Sequence, residues 1–440
     1  MHFICAKISK NTCLNNYVLA FLQVKSYNNC REVPINTDFG GIYLKALSCI
    51  ASHVQASSTM TIDALSKQMK ADGIDVIGFG AGEPDFNTPD HIKAAGIQAI
   101  EDNFTRYTPA SGIPVLKQAI CDRMRADCGL DYMPSQVVVS SGAKHCVYVA
   151  LRALVDPGDE VILPAPFWVS YLELIKMVEG TPVVVTAEES ADFKMTADQL
   201  RAAITPKTKA IILNNPSNPT GMVYSREELQ AIADVCVEKD IYIVADEIYY
   251  CLLYDGVKFT SVASLGEEVK ARTLLINGMS KAYAMTGWRI GYIMADEKIA
   301  KVMANYLSHS TGSPCSVSQA ASVEALTSSQ ELVEKMRQAF EERRNYIVER
   351  MNRIDGVSCI KPEGAFYVMM NIENLLGKTI HGELINSSDD FCTAFLKHGL
   401  VATVPCSGFG APNFVRWSYA ASMENIKKGM DRLEAFLAEK

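Results

Sequence analysis

The 440-residue chain has no excess of positive charge: 42 Lys and Arg stand against 50 Asp and Glu, a net −8 with the histidines neutral. A basic field able to gather a nucleic-acid backbone or an anionic membrane is therefore missing, and neither is expected as a partner. Long apolar runs are missing too. The longest near the start, Tyr17 to Leu22, falls far short of the roughly 20 residues that span a bilayer. None of the 13 cysteines forms a C-x-x-C pair. An odd number scattered singly over a large chain fits reduced thiols and a cytoplasmic setting better than a disulfide framework or a metal site. No internal repeat or low-complexity tract is present, and no acid precedes Glu32.

What is there is ordinary globular text, 48% apolar and 21% charged, long enough for roughly two to three domains of about 150 residues. Residues 1–44 carry Lys7, Lys10, Lys25 and Arg31 among asparagines without a helical period. The expectation there is a poorly ordered extension outside the fold, set against an acid-poor transit segment. Leu65 and Met69 recur at helical spacing in a segment ending at Gly73, and Val76 to Phe79 reads as a strand. Between about His91 and Ser329, apolar runs at 137–139, 161–163, 183–185, 210–213, 241–244 and 274–276 alternate with helical stretches. Strands buried on both faces and joined by crossover helices predict an α/β fold with a mostly parallel sheet. Thr88 before Pro89, and Ser225 with Glu228 three residues on, mark helix starts. After Ser329 one long helix over 330–353 and strands at 366–370, 401–404 and 414–418 predict a smaller α/β domain. The run Glu341-Glu342-Arg343-Arg344 within that helix reads as a solvated face. The expected division is 1–44 extension, 45–90 first part of the small domain, 91–329 large domain and 330–440 second part of the small domain.

The chemistry concentrates at three strand ends. Lys281, directly after the 274–276 strand and between small residues, sits where open α/β sheets place ligands. Eight residues on, Arg289 offers a cationic fork of the kind that holds phosphate. Ala245-Asp-Glu-Ile-Tyr249 delivers a carboxylate and a phenol to the same edge, and Asn214-Asn-Pro-Ser-Asn-Pro-Thr-Gly221 a proline-stiffened loop presenting Asn218. Alone, each is most often a strand end or a turn. Together they meet the needs of pyridoxal phosphate. Lys281 would form the Schiff base, Asp246 would keep the pyridine nitrogen protonated, and Tyr249 and Asn218 would bond the phenolic oxygen.

The stretch Ser-Lys-Ala-x-x-Met-Thr-Gly-Trp-Arg-x-Gly-Tyr and the motif Gly82-Glu-Pro-Asp-Phe86 resemble those of the class I/II aminotransferases. These are fold-type I pyridoxal phosphate enzymes, and the likeness is greatest to the aspartate aminotransferase branch common in bacteria, from about Ser48 to the C-terminus. The resemblance implies a homodimer with shared sites, in which Tyr107 of Thr-Arg-Tyr-Thr-Pro reaches the neighbour's phosphate. Lys281 then carries the cofactor, with Ser280 beside it, and Asn218, Asp246, Tyr249 and Arg289 hold it. Val139-Ser-Ser-Gly-Ala-Lys144 opens a helix after a strand, so the amides of Gly142, Ala143 and Lys144 would face the phosphate. Trp168 would stack on the pyridine ring, the competing reading being a half-buried structural tryptophan.

Substrate selection must come from cations, since every amino acid presents a carboxylate. In this family frame Arg416 clamps the α-carboxylate, and Gly82 brings bare backbone close to it. Lys144 reaches the side-chain carboxylate of aspartate or glutamate, against the alternative of a solvated helix-start lysine. Thr59 is placed with that same carboxylate, although the Lys-Pro-Ser run that many relatives carry just upstream is missing here. The function implied is amino transfer from aspartate or glutamate to a 2-oxo acid. The alternatives are a broad, aromatic or prephenate aminotransferase, or a lyase on the same cofactor. A cofactor-sensing transcription regulator would need a basic helix-turn-helix module for which the first 45 or so residues offer no pattern.

Overall fold

In the computed structural model, residues 38–39, 42–43, 45, 47–55 and 58–438 are described. The extension expected over 1–44 therefore lies outside the described residues, apart from two short strands at 38–39 and 42–43. No helix among the described residues is long and apolar enough to cross a membrane. The ten cysteines among them are all free, and no His, Cys, Asp or Glu cluster there could hold a metal ion.

The sheet grammar read from the alternating apolar runs produces a seven-stranded sheet. Its spatial order is Val137–Ser140, Gly291–Met294, Thr273–Gly278, Tyr242–Asp246, Thr208–Asn214, Glu160–Ala165 and Thr181–Thr186. Gly291–Met294 runs antiparallel to both neighbours; the remaining contacts are parallel. The fold is α/β with a mostly parallel sheet. The antiparallel strand was not expected, because its residues close the lysine motif and draw the eye as loop chemistry. Thr181–Thr186 departs from the doubly buried expectation: it is the edge strand, and its side chains are half-buried or exposed. Helices cover both faces. The Ala143–Leu154 helix buries Cys146, Val147, Ala150, Leu151 and Leu154 on one, and Leu116, Ile120 and Met124 of Pro114–Cys128 pack on the other.

Local signals explain most boundaries. The Ser225–Glu228 capping box closes as read, with the Glu228 amide donating to Ser225 Oγ at 3.2 Å and the Ser225 amide to Glu228 Oε2 at 2.7 Å. Thr88 does not cap the Asp90–Glu101 helix. Its hydroxyl donates to the Ala284 carbonyl at 2.7 Å and accepts from Trp288 Nε1 at 3.1 Å, pinning the 82–88 loop to the segment that carries Lys281.

A second, small antiparallel sheet is formed by Tyr367–Asn371, Phe414–Ser418 and Val404–Pro405. The Ile77–Gly78 strand pairs in parallel with Val401–Ala402, so residues before 90 join the C-terminal part. The Glu331–Met351 helix packs Met336, Phe340, Ile347 and Met351 into that core. The charged run on this helix is not a solvated face. Arg344 is fully buried and forked onto Asp255 at 3.0 Å through both terminal nitrogens, while Arg343 pairs with Asp85 at 2.7 Å. A buried guanidinium needs such partners; the Pro362 carbonyl at 2.7 Å and Glu341 at 3.7 Å also face it, and losing Asp255 would remove its bidentate partner.

Candidate active site

The C-terminal ends of Val137–Ser140, Glu160–Ala165, Thr208–Asn214, Tyr242–Asp246 and Thr273–Gly278 lie on one edge of the sheet. Their following residues, with strands of the small sheet, enclose a cavity of about 620 Å³. Lys281 stands three residues past its strand, half-buried. Its Nζ donates to the Gly82 carbonyl and lies 5.9 Å from the Tyr249 ring centre and 5.8 Å from that of Phe366. Desolvation lowers its pKa to about 8, with Arg289 and Arg416 pushing the same way against Glu83 and Asp246.

Asp246 ends its strand almost wholly buried, 3% exposed. Its Oδ2 accepts from the Tyr171 hydroxyl at 2.7 Å and its Oδ1 from the Ile248 amide at 3.2 Å. Burial raises its pKa in spite of these donors and of the Lys281 charge. Asn214 links the strands: its Nδ2 donates to the Asp246 carbonyl at 2.9 Å, and its Oδ1 accepts from the Asn218 amide at 2.7 Å. Asn218 Oδ1 in turn accepts from Arg416 Nη1 at 3.0 Å. Tyr249 shares a hydroxyl contact of 3.0 Å with Tyr367.

Arg416 is 1% exposed. Besides Asn218 it donates from Nη2 to the Gly80 carbonyl at 3.0 Å, and its guanidinium lies over Tyr367 at 4.4 Å and Phe409 at 5.1 Å. Its Nε is buried without an acceptor. A guanidinium has five N–H donors, so several remain to grip an anion entering the cavity.

At the opposite side, Gly142 at φ +88° turns the chain from strand into the Ala143–Leu154 helix. A Cβ there would run into the Arg289 guanidinium, so glycine makes the close approach possible. Arg289 is held by the Thr286 carbonyl at 2.8 Å and the Ser141 carbonyl at 3.3 Å. The Gly142 amide, expected to face an anion, turns back onto the Ser140 carbonyl at 2.8 Å. The first-turn amides of Ala143 and Lys144 and the helix dipole are left to do so. Lys144 is exposed to the cavity with Nζ 5.0 Å from the Trp168 ring centre. Its pKa is lowered by desolvation and then by Arg289.

Gly82, Ala143, Lys144, Trp168, Asn218, Asp246, Tyr249, Ser280, Lys281, Arg289 and Arg416 thus all line one cavity. Three expected residues do not join them: Gly142, at the helix start, is not among the lining residues, and the other two are Tyr107 and Thr59. Tyr107 is fully exposed on the surface of the chain. Thr59 lies in the Ser58–Ala71 helix, with its side chain outside the described residues. Reading the sequence missed Tyr171, Tyr367, Asn214 and Lys67, which also line the cavity. Tyr171 had a signal: it sits one helical turn after Trp168, and their rings meet edge-on at 5.2 Å.

Residues 74–433 match the family Aminotransferase class I and II. An aspartate aminotransferase of Bacillus sp. (strain YM-2) is 48% identical over 381 residues, 87% of this chain and 96% of that protein. An aspartate/prephenate aminotransferase of Cereibacter sphaeroides is 45% identical over 395 residues, 89% of this chain and 98% of that one. The solved structure of a Thermus thermophilus aspartate aminotransferase with maleate superposes with a TM-score of 0.84 at 37% identity, covering 89% of this chain and all of that one.

Proposed function

This chain belongs to the class I and II aminotransferases, and from that premise we propose that it moves the amino group of aspartate or glutamate to a 2-oxo acid with pyridoxal phosphate as cofactor. The observation that carries the reading is the pairing of Arg416 with Lys144 around Lys281. The buried Arg416 guanidinium has an unmatched Nε, and the Lys144 ammonium lines the same cavity from another element. Two cations from different elements suit a substrate with two carboxylates, and maleate, present with the Thermus enzyme, is such a diacid.

The residues fit the cofactor by their chemistry. A desolvated lysine, a buried carboxylate and an anion cradle too tight for any side chain at Gly142 lie within one cavity. When bound, pyridoxal phosphate supplies a conjugated ring that delocalises the electron pair left at the substrate's α-carbon. Asp246 would hold the proton on the ring nitrogen, and Tyr171 keeps that carboxylate oriented. Asn218 and Tyr249 would bond the phenolic oxygen. Arg289, Ser280 and the amides of Ala143 and Lys144 would hold the phosphate, and Trp168 would cover a ring face. Arg416 and the Gly82 backbone fix the α-carboxylate, and Lys144 the distal one. Lys281 Nζ, its pKa brought down to about 8, accepts the proton leaving the substrate's Cα and returns it as the conjugate acid. Overall an amino acid enters and a 2-oxo acid leaves. A second oxo acid then carries the amino group away.

The assembly belonging to this reading is a homodimer in which Tyr107, fully exposed on a single chain, serves the phosphate of the neighbour's site. Its setting is the cytoplasm, supported by the free cysteines of the described residues. Amino transfer to prephenate is a second reading, favoured by the name of the Cereibacter relative; prephenate also carries two carboxylates. The test is a spectrum of the purified holoenzyme before and after adding aspartate, glutamate and phenylalanine in turn. The visible band should be lost with the two acidic amino acids at concentrations where phenylalanine leaves it intact. A response to phenylalanine alone would overturn the reading.

A further inference from the structure

Two segments meet at the mouth of the cavity: 82–88, which begins at Gly82, and 281–289, which runs from Lys281 to Arg289. Four hydrogen bonds tie one to the other. Lys281 Nζ donates to the Gly82 carbonyl, Thr88 Oγ1 to the Ala284 carbonyl at 2.7 Å, Trp288 Nε1 to Thr88 Oγ1 at 3.1 Å, and Thr286 Oγ1 to Glu83 Oε2 at 2.8 Å.

The 281–289 segment depends on such ties. Ala284 at φ +50° and Arg289 at φ +56° both stand in the left-handed region, where a Cβ crowds the following carbonyl oxygen and the conformation persists only under surrounding contacts. Thr286 lies between them. Its carbonyl accepts from Arg289 Nη1 at 2.8 Å while its hydroxyl donates to Glu83, so one residue joins the guanidinium assigned to the phosphate to the neighbour of Gly82. Glu83 and Thr286 line the active cavity and also an adjoining one of about 550 Å³, and the pair belongs to the wall that the two share.

The other ties of the 82–88 loop act farther from Gly82 or do not last. Arg343 holds Asp85 at 2.7 Å, and Thr88 holds the far end. Under the role proposed for Lys281, its own tie is released in the working enzyme, because the amine goes to the cofactor and then to the substrate's proton. The Glu83–Thr286 bond uses no reacting atom and remains.

We propose that Glu83 is a positioning residue: by accepting from Thr286 it holds the Gly82 backbone where that backbone meets the α-carboxylate, in register with the arm that holds the phosphate. This rests on the assignment of Gly82 and Arg416 to the α-carboxylate and extends it. Every amino acid presents that group, so the contact sets affinity without choosing among side chains. Bond and charge are separable at this position. Glutamine keeps an oxygen for Thr286 and drops the charge, whereas alanine drops both.

The test uses holoenzyme of the wild type, Thr286→Val, Glu83→Ala, Glu83→Gln and Arg416→Ala. Calorimetry would give the affinities of succinate and butyrate, equilibrium dialysis that of the cofactor, and steady-state kinetics kcat and KM for aspartate and phenylalanine. Thr286→Val should bind both carboxylates about threefold to tenfold more weakly than the wild type, as expected for one lost hydrogen bond to a charged group. It should raise KM for both amino acids by like factors with kcat little changed, and keep cofactor affinity within about twofold. Glu83→Ala should bind the carboxylates more weakly than Glu83→Gln by the same factor. Unchanged carboxylate affinity in Thr286→Val, a loss confined to succinate, or Glu83→Ala binding as well as Glu83→Gln would overturn the proposal. So would a loss of cofactor affinity equal to the loss for carboxylates, which would assign the pair to the phosphate arm. If Arg416→Ala binds succinate and butyrate as well as the wild type does, the α-carboxylate assignment beneath the proposal fails instead.

Discussion

Replacing Tyr171 with phenylalanine removes one hydroxyl from beneath the site. That hydroxyl donates to Asp246 Oδ2 at 2.7 Å, and both residues are almost fully buried. The edge-on packing of the ring against Trp168 at 5.2 Å survives the change, so the loss is one hydrogen bond rather than a cavity. Burial already raises the pKa of Asp246, and the Tyr171 bond is the largest influence opposing it. Without that bond the carboxylate is harder to ionise, and it must be ionised to hold a proton on the cofactor's ring nitrogen. A hydrogen bond to a charged group contributes about 1.5–3 kcal/mol, so cofactor affinity should fall about 10- to 100-fold. The fall should deepen as pH is lowered, because the variant's Asp246 protonates first. Equilibrium dialysis of the cofactor against cofactor-free chain across pH measures both. Unchanged affinity with an unchanged pH profile would refute the reasoning. So would a loss matched by an equal drop in the melting temperature of the cofactor-free chain.

Lys144→Ala should weaken kcat/KM for aspartate and glutamate by about 1.5–3 kcal/mol and for phenylalanine much less, whereas Arg416→Ala should damage all three; equal losses on Lys144→Ala would place that lysine on the phosphate instead. Borohydride reduction of the holoenzyme should fix the cofactor on the peptide containing Lys281. In the cofactor-free chain the capture of an added aldehyde at this residue should rise with pH and flatten above about 8, because only the neutral amine attacks. Glu247 is buried with Oε1 bonded to Ser261 and the Val262 amide and Oε2 unpartnered, and burial raises its pKa from 4.5 to about 8. A raised folded-state pKa gives stability that is full below 4.5 and is lost as pH climbs through about 8. Thermal melts of Glu247→Gln should therefore gain on the wild type over that window, and parallel curves would count against it.

Much of the site was readable because parallel strands deliver their next residues to one edge. Asp246 ends its strand, and Lys281 and Asn218 stand three and four residues past the ends of theirs, so their convergence needed only the sheet. What escaped the sequence depends on partners far along the chain. Arg344 looked solvated until Asp255, 89 residues away, was found against it. Thr88 looked like a cap until Ala284 claimed its hydroxyl. Tyr367 is a tyrosine like any other until the fold turns its hydroxyl onto that of Tyr249.

Amino transfer from an acidic amino acid is most directly measured by following the nitrogen itself. Holoenzyme would be supplied with ¹⁵N-labelled aspartate and unlabelled 2-oxoglutarate, and the products read by mass spectrometry. The account predicts oxaloacetate and ¹⁵N-glutamate in equal amounts, with Lys281→Ala forming neither. Carbon dioxide with alanine, ammonia with fumarate, or label transferred only when phenylalanine replaces aspartate would contradict it.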